Sequence, residues 1–398
     1  MIIKKRLPRI GIVGTGFIAT GLSHLLYNSK NFHLSGMLTR RKGLLKNLPV
    51  NESCVFNDPE RLFETSDLLV VATGDPVYNT DVILKAFDYG LPVVTMDAET
   101  QVISGSWLSK RGFLTEAEGD QPGSIAALDK EIRDMGFQPL VYGNIKGFLN
   151  HNPSIEDMLY WSKVNGISLS QVTSFTDGTK VQIEQCLVAN GLGSDIYKQG
   201  LLKIQSSDIN IGAMALAEKA EQFGAPISDF ILDKTAPPGV FIVAKHDNAQ
   251  LPYLKYLKMG SKGKFVLTKP FHLCHIEIPK TIKNVLNFHE ILLNNGSIPT
   301  ISVGSISKRE IKKGESIVKG IGSFDCRGEA LRIVDVPEHV PIGLLADAQV
   351  KRTIEPGQII HFDDVEIPES TALMAWLETR QEVTNKEYYG HQASAISR

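Results

Sequence analysis

The sequence predicts an α/β protein: an N-terminal Rossmann domain with a doubly wound parallel sheet, a mixed α/β substrate and dimerisation domain, and a small β-rich C-terminal domain. Three observations carry this. A short apolar run leads straight into a glycine motif near the N-terminus; apolar strand-like runs then alternate with helical periodicity; and the last quarter of the chain repeats a strand, glycine turn, strand pattern. With 398 residues, two or three domains of ordinary size are expected. Their bounds are expected at 1–120, 121–298 and 299–385, with a poorly ordered polar tail over 386–398.

Arg9-Ile10-Gly11-Ile12-Val13 reads as a buried strand, and Gly14-Thr15-Gly16-Phe17-Ile18-Ala19 follows it in the pattern G-x-G-x-x-A. Ile18–Asn28 then carries Ile18, Leu22, Leu25 and Leu26 on one helical side. The three small residues serve different ends. Gly14 makes the tight turn, Gly16 admits a pyrophosphate to the backbone, and Ala19 lets helix pack on strand. The helix N-terminus offers free N–H groups and a positive dipole end to the phosphates. A dinucleotide is therefore expected against Gly14, Thr15, Gly16, Phe17 and Ile18.

The next strand, Phe32–Leu38, ends in Thr39-Arg40-Arg41 instead of a carboxylate that would grip a ribose 2′-OH. Arg40 and Arg41 suit a 2′-phosphate, so NADP is expected, with NAD as the alternative. Strand Asp67–Ala72 ends in Thr73-Gly74-Asp75-Pro76, a helix spans Asn79–Tyr89, and strand Pro92–Met96 ends in Asp97-Ala98-Glu99-Thr100. Ligands of such sheets sit beyond the carboxyl ends of the strands, which puts Thr73, Gly74, Glu99 and Thr100 nearest a nicotinamide ring. Glu99 either serves the substrate or caps the next helix.

After a short strand (Gly112–Leu114), Glu116, Glu118 and Asp120 crowd a loop before a helix (Ser124–Met135). Glu116 and Glu118 read as charges at a helix N-terminus, whereas Asp120, in the tight Gly-Asp-Gln-Pro turn, has the stronger claim on the cleft. Strand Gln138–Tyr142 is followed by a loop, Gly143–Lys146, whose Lys146 suits a polar or phosphorylated substrate. Strand Val172–Phe175 passes through an Asp177-Gly178 turn into helix Val181–Ala189. Lys180 and Glu184, four apart, either pair with each other or line the cleft together. Pro237–Lys245 reads as a loop into a buried strand, and His272 and His275 find no third metal ligand by spacing. The candidate catalytic residues are thus Lys146, Lys180, Asp120, Glu99 and Glu184; a divalent metal is left open, with no ligands assigned.

A net charge of -2 gives no electrostatic reason to expect nucleic acid or an acidic membrane as partner. The four cysteines are widely spaced, which reads as reduced thiols in a cytoplasmic protein. No run approaches the roughly 18 apolar residues of a membrane span. The expected partners are a small-molecule substrate and further copies of the chain, as a homodimer or homotetramer.

Near the C-terminus, Lys308–Ile317 is echoed by Lys351–Ile360, each a strand, a glycine turn and a strand. With this region, Gly14–Ala19, Glu118–Pro122, Gly143–Lys146, Asp177–Lys180 with Glu184, and Pro238–Lys245, the chain resembles the predicted homoserine dehydrogenase-like oxidoreductases that carry a C-terminal SAF domain. The resemblance implies NAD(P)-dependent chemistry on a small polar compound, with the SAF module closing over a sugar-like ligand or building a dimer. One branch looks like a second kind of 1-deoxy-D-xylulose 5-phosphate reductoisomerase, which uses NADPH and a divalent metal. That branch has Gly-Asp-Glu-Pro where this chain has Gln121. The longer acidic substrate motif of true homoserine dehydrogenases is absent. The first expectation is hydride transfer between NADPH and the carbonyl of a small polar, sugar-like substrate, phosphorylated or not. Reductoisomerase activity and a nicotinamide-sensing regulatory protein are the alternatives.

Overall fold

The computed structural model describes residues 6–42, 48–260 and 262–396. The apolar start of the chain and the last two residues of the expected tail lie outside the described residues. β1 (Arg9–Val13), β2 (His33–Leu38), β3 (Val55–Phe56), β4 (Leu68–Val71), β5 (Val93–Thr95) and β6 (Leu114–Glu116) form one sheet in the order β3-β2-β1-β4-β5-β6. Every pairing is parallel. The two-residue alternation of strands sends Ile10, Ile12, Leu68, Val70 and Val94 into one apolar layer, and Val13, Leu69, Val71 and Val93 into the other. Helices cover both faces, so the sheet is doubly wound, and the order in which strands are added reverses between β1 and β4. The layer under β1 is completed from far along the chain, by Ile278, Ile282 and Val285 of helix Ile278–Phe288.

The second sheet runs β11-β10-β7-β9-β8, built from β7 (Gln138–Lys146), β8 (Ile204–Gln205), β9 (Ile227–Leu232), β10 (Val240–Lys245) and β11 (Lys264–Lys269). β7 lies parallel to β9 and antiparallel to β10. The segment Gly143–Lys146, expected as a loop, is instead the second half of β7. Gly143 belongs in a strand here because the Phe241 ring crosses over it, within 2.0 Å of where a Cβ would stand. Strand alternation then points Asn144 and Lys146 the same way as Tyr142.

The expected strand Val172–Phe175 is also corrected: it lies within helix Leu169–Asp177. Ser168 and Gln171 form a capping box, each side chain accepting the other's backbone N–H. That local pairing nucleates a helix through β-branched residues whose propensity alone favours a strand.

The C-terminal region carries small antiparallel sheets: β12 (Ile301–Ser307) with β14 (Cys326–Arg332), and β15 (Ala348–Val350) between β13 (Ser316–Ile317) and β16 (Val365–Glu366). The two sequence copies pair with each other about a pseudo-twofold axis. Ile311 and Ile354 exchange backbone hydrogen bonds, both at 2.9 Å, while Gly314 donates to Val350 and Gly357 to Ser307. Helix Thr371–Ile396 runs through most of the stretch expected as a polar tail. Its start is anchored by buried Ala372, Ala375 and Trp376, and Ala375 enters the apolar layer of the first sheet. Val181, Cys186 and Leu187 of helix Thr179–Leu192 share one core with Ile301, Val303 and Ala330 of the C-terminal strands. Among the described residues no helix is long and apolar enough to cross a membrane.

Candidate active site

The glycine turn behaves as the motif predicts. Gly14 has φ +122°, and a Cβ there would stand 2.5 Å from the Ala72 carbonyl oxygen, so no other residue fits. Gly16 has nothing within 4 Å of a Cβ position, and helix Phe17–Tyr27 starts with no side-chain cap. The result is an open backbone cradle at a helix N-terminus, matched to a dinucleotide's pyrophosphate. Thr15 bonds Thr39 at 3.0 Å across the loop. Arg41 donates to the Thr15 carbonyl at 3.3 Å, and Arg40 pairs with Asp75 at 2.7 Å while stacking 4.1 Å over the Tyr78 ring. Both arginines therefore flank the loop where the sequence placed them.

Beyond β4 and β5 lies a buried polar network. Asp97 accepts hydrogen bonds from the Gly74 N–H at 2.7 Å and the Asn79 amide at 2.7 Å. Asn79 also donates to Thr100 at 2.9 Å and accepts from Thr73 at 2.7 Å. Burial, and then the neighbouring Glu99, push Asp97 up to about 7. Glu116 closes β6, fully buried, and accepts from Thr95 at 2.5 Å. Burial pushes its carboxyl well above the usual range.

Lys180 joins the two halves of the molecule. It is the second residue of helix Thr179–Leu192, and its ammonium lies 3.1 Å from Glu99, which follows β5, and 3.2 Å from Asp120, which precedes helix Gln121–Asp134. Burial opposes its charge, but Asp120, Glu99 and Glu184 hold the pKa well above an ordinary lysine's. Lys180 and Glu184 share a helix face, as their spacing requires, but each turns to a different partner. Glu184 pairs with Lys146 at 2.9 Å and accepts from Asn144 at 2.7 Å. Burial, followed by Asp120, raises Glu184. Burial also opposes the Asp120 charge, and Lys180, His272 and Lys146 outweigh it, leaving Asp120 below its usual value.

Gln121 sits at the centre. With its amide nitrogen toward the acids it donates to Asp120 at 2.6 Å and Glu184 at 3.1 Å, while its oxygen accepts from His272 and Lys146, both at 3.1 Å. All five candidate catalytic residues thus converge. Glu118 lies apart, tied to Lys269 at 2.9 Å and Lys280 at 2.7 Å. His272 and His275 do not converge: the His275 ring lies edge-on to Phe17 and against Gly21.

Sequence reasoning passed over Asp97 and Asn79 and left Asn144 and Gln121 out of the candidate residues. Asn144 was findable, since it alternates with Tyr142 and Lys146 if β7 is read to its full length. Asn79 stands one turn inside the helix that begins at Pro76, on the side facing the strand ends.

The donor set does not fit a divalent metal. The oxygens of Asp120 and Glu184 are already engaged by lysine ammonium groups and the Gln121 amide, and Gln121 supplies no charge. Among the described residues no three His, Cys, Asp or Glu side chains are grouped to hold an ion.

The parallel sheet with its glycine cradle, the charged cluster near its strand ends and a family match across the second sheet mark the chain as an oxidoreductase. The matching family is described as oxidoreductase DRL, catalytic domain, and the match covers residues 119–278, short of half the chain. No curated protein sequence matches the chain. Among solved structures, a probable dehydrogenase from Thermotoga maritima aligns with 14% identity over 72% of this chain and 91% of its own, at a TM-score of 0.41. S. aureus homoserine dehydrogenase aligns with 11% identity over 82% and 93%, at 0.40. UDP-N-acetylglucosamine 3-dehydrogenase from Acidithiobacillus ferrooxidans aligns with 9% identity over 73% and 93%, at 0.38. All three likenesses are remote.

Proposed function

We propose that this oxidoreductase transfers a hydride between NADP(H) and the carbonyl of a small, hydroxyl-rich substrate, with Lys180 as the proton donor. The observation that carries the reading is the Lys180 ammonium held between Glu99, after β5, and Asp120, ahead of helix Gln121–Asp134. A nicotinamide bound on the cradle supplies the hydride. A carbonyl that accepts it becomes an alkoxide and needs a proton or a cation at that moment. Lys180 stands ready charged, because its two carboxylates stabilise the ammonium. An alkoxide is a far stronger base than either carboxylate, so it draws the proton, and Asp120 and Glu99 keep the lysine aimed. Lys146, Asn144 and the Gln121 amide present further donors and acceptors that suit substrate hydroxyls. The preference for NADP(H) rests on Arg40 and Arg41 beside the glycine loop.

Reductoisomerase chemistry is disfavoured, because holding both oxygens of a hydroxy-ketone on a metal requires ligands that are here committed to lysines. The C-terminal strands, whose paired copies resemble a SAF domain, brace the helix that bears Lys180: Gly328 donates to Thr179 at 2.9 Å and Ala330 to Gln182 at 2.8 Å.

The test is NADPH oxidation, followed by absorbance, against a panel of sugars, sugar phosphates and hydroxy-ketones without added metal. Turnover on at least one of them is expected. Lys180→Met should lower kcat by roughly a hundredfold to ten-thousandfold, with NADPH affinity unchanged. Full activity in that variant refutes the role given to Lys180.

A further inference from the structure

Behind the Lys180 ammonium lies a second acid. Glu99 meets the ammonium with both carboxyl oxygens, at 3.1 and 3.3 Å. Asp97, two residues earlier and more deeply buried, shares a hydrogen bond with Glu99. An ionised carboxylate only accepts, so a bond between two carboxyl groups exists only with a proton in it. The pair therefore holds one proton between two acids.

The surroundings fix where that proton can sit. Oδ2 of Asp97 accepts from the Gly74 N–H and from the Asn79 amide, both at 2.7 Å. Asn79 is held in that orientation because its oxygen accepts from Thr73 at 2.7 Å and its nitrogen also donates to Thr100 at 2.9 Å. Oδ1 of Asp97 meets the Thr100 N–H at a looser 3.3 Å. Both acceptor positions of Oδ2 are thus filled, and the proton belongs to Oδ1 or to Glu99. The charged and titratable groups around the pair are Lys180 from helix Thr179–Leu192, Glu116 from β6, and Asp120, the other partner of Lys180. Helix Pro76–Asp88 presents the uncharged Asn79.

We propose that Asp97 and Glu99 hold one proton in reserve and return it to Lys180 once Lys180 has protonated the alkoxide. The inference deepens the function proposed above and rests on the proton-donor role given there to Lys180. Hydride passes from NADPH to the carbonyl carbon and leaves NADP in its oxidised, cationic form. The alkoxide oxygen takes a proton from the ammonium, and Nζ becomes a neutral amine. The proton of the pair then crosses through Glu99 to that amine, and both carboxyls are left ionised. Water replaces the proton when the product leaves. Two effects drive the second transfer. A lysine amine is a much stronger base than a carboxylate. The nicotinamide has just become cationic, and a nearby positive charge favours ionised carboxyls. With cofactor and substrate covering the cleft, the water that would otherwise recharge the lysine is excluded.

The experiment has two arms. In infrared difference spectra of the intact protein, carrying isotope-labelled aspartate and glutamate, one protonated carboxyl should ionise at about pH 7. Asp97→Asn should remove that band and leave those of the other acids raised by burial, Glu116 and Asp229. The second arm follows kcat for the compound of the carbonyl panel that turns over fastest. In the intact protein kcat should fall as pH rises through about 7, because the reserve empties. Asp97→Asn keeps an acceptor oxygen for Gly74 and Asn79 but cannot hand on a proton. It should lower kcat at about pH 6 by roughly tenfold to a hundredfold, less than removing the proton donor itself, and make kcat level from about pH 6 to about pH 8. KM and NADPH affinity should stay constant, whereas a packing role would move one or both. A spectrum in which Asp97→Asn removes no band, or a fall in kcat above about pH 7 that persists in the variant, overturns the proposal. The infrared arm needs no turnover. The band present with no NADPH oxidation on any carbonyl would sink the redox reading, and turnover with the band absent would sink the reserve alone.

Discussion

Replacing Lys180 with methionine keeps the length of the side chain and removes its charge, leaving Glu99 and Asp120 facing an apolar group. At 3.1 and 3.2 Å, each ion pair is worth about 5 kcal/mol at an effective dielectric of about 20, before desolvation is subtracted. Breaking a buried pair by deleting one partner costs about 3–5 kcal/mol, which is the expected loss of stability at neutral pH. The loss should depend on pH in a defined direction. In the intact protein Asp120 titrates below its usual value, chiefly through Lys180 acting against burial. It therefore contributes stability above its unfolded pKa of about 3.9, and that contribution is lost as pH falls through the folded value. In the variant the main opposing charge is gone and burial raises Asp120, so ionising it becomes unfavourable as pH rises through about 4. The gap between the two proteins should be widest near pH 7.5 and shrink toward about pH 4.5. Urea unfolding at those two pH values measures it. An equal gap at both, or a gap under about 1 kcal/mol at neutral pH, would refute the account of Lys180 as the counter-ion of both acids.

Two further outcomes are expected. Replacing Arg40 and Arg41 together with alanine should erase a preference of roughly tenfold to a hundredfold for NADPH over NADH, read by titration; equal affinities for the two cofactors in the intact protein would contradict it. His339 is buried and bonded to Ser302 at 2.8 Å, and burial pushes its pKa down to about 4. Its neutral form then supports the fold above the unfolded pKa of about 6.5, and about 3 kcal/mol of stability should be lost as pH falls from there to about 4; His339→Gln should flatten that part of the unfolding profile.

The first sheet was legible because its signals are local. A strand such as Arg9–Val13, a glycine that must take positive φ and a helix with Leu22 and Leu26 on its inner side sit next to one another in the chain. Gly143–Lys146 and Val172–Phe175 were misread for one reason: the deciding interaction lies outside the propensity of the segment itself. Phe241 draws Gly143 into a strand, and the Ser168–Gln171 capping box turns a β-branched run into a helix.

The same division runs through the site. The sequence by itself marked out the candidate lysines and carboxylates, since such residues next to turns and strand ends are visible in one dimension, and it marked out the glycine turn, whose parts are contiguous. Only the tertiary structure decided who pairs with whom. Lys180 and Glu184 are neighbours on one helix, yet Lys180 turns to Glu99 and Asp120 while Glu184 turns to Lys146. In a buried cluster each ammonium settles where desolvation is best repaid by the nearest carboxylates, and those distances are set by how the two sheets and the C-terminal strands pack around helix Thr179–Leu192.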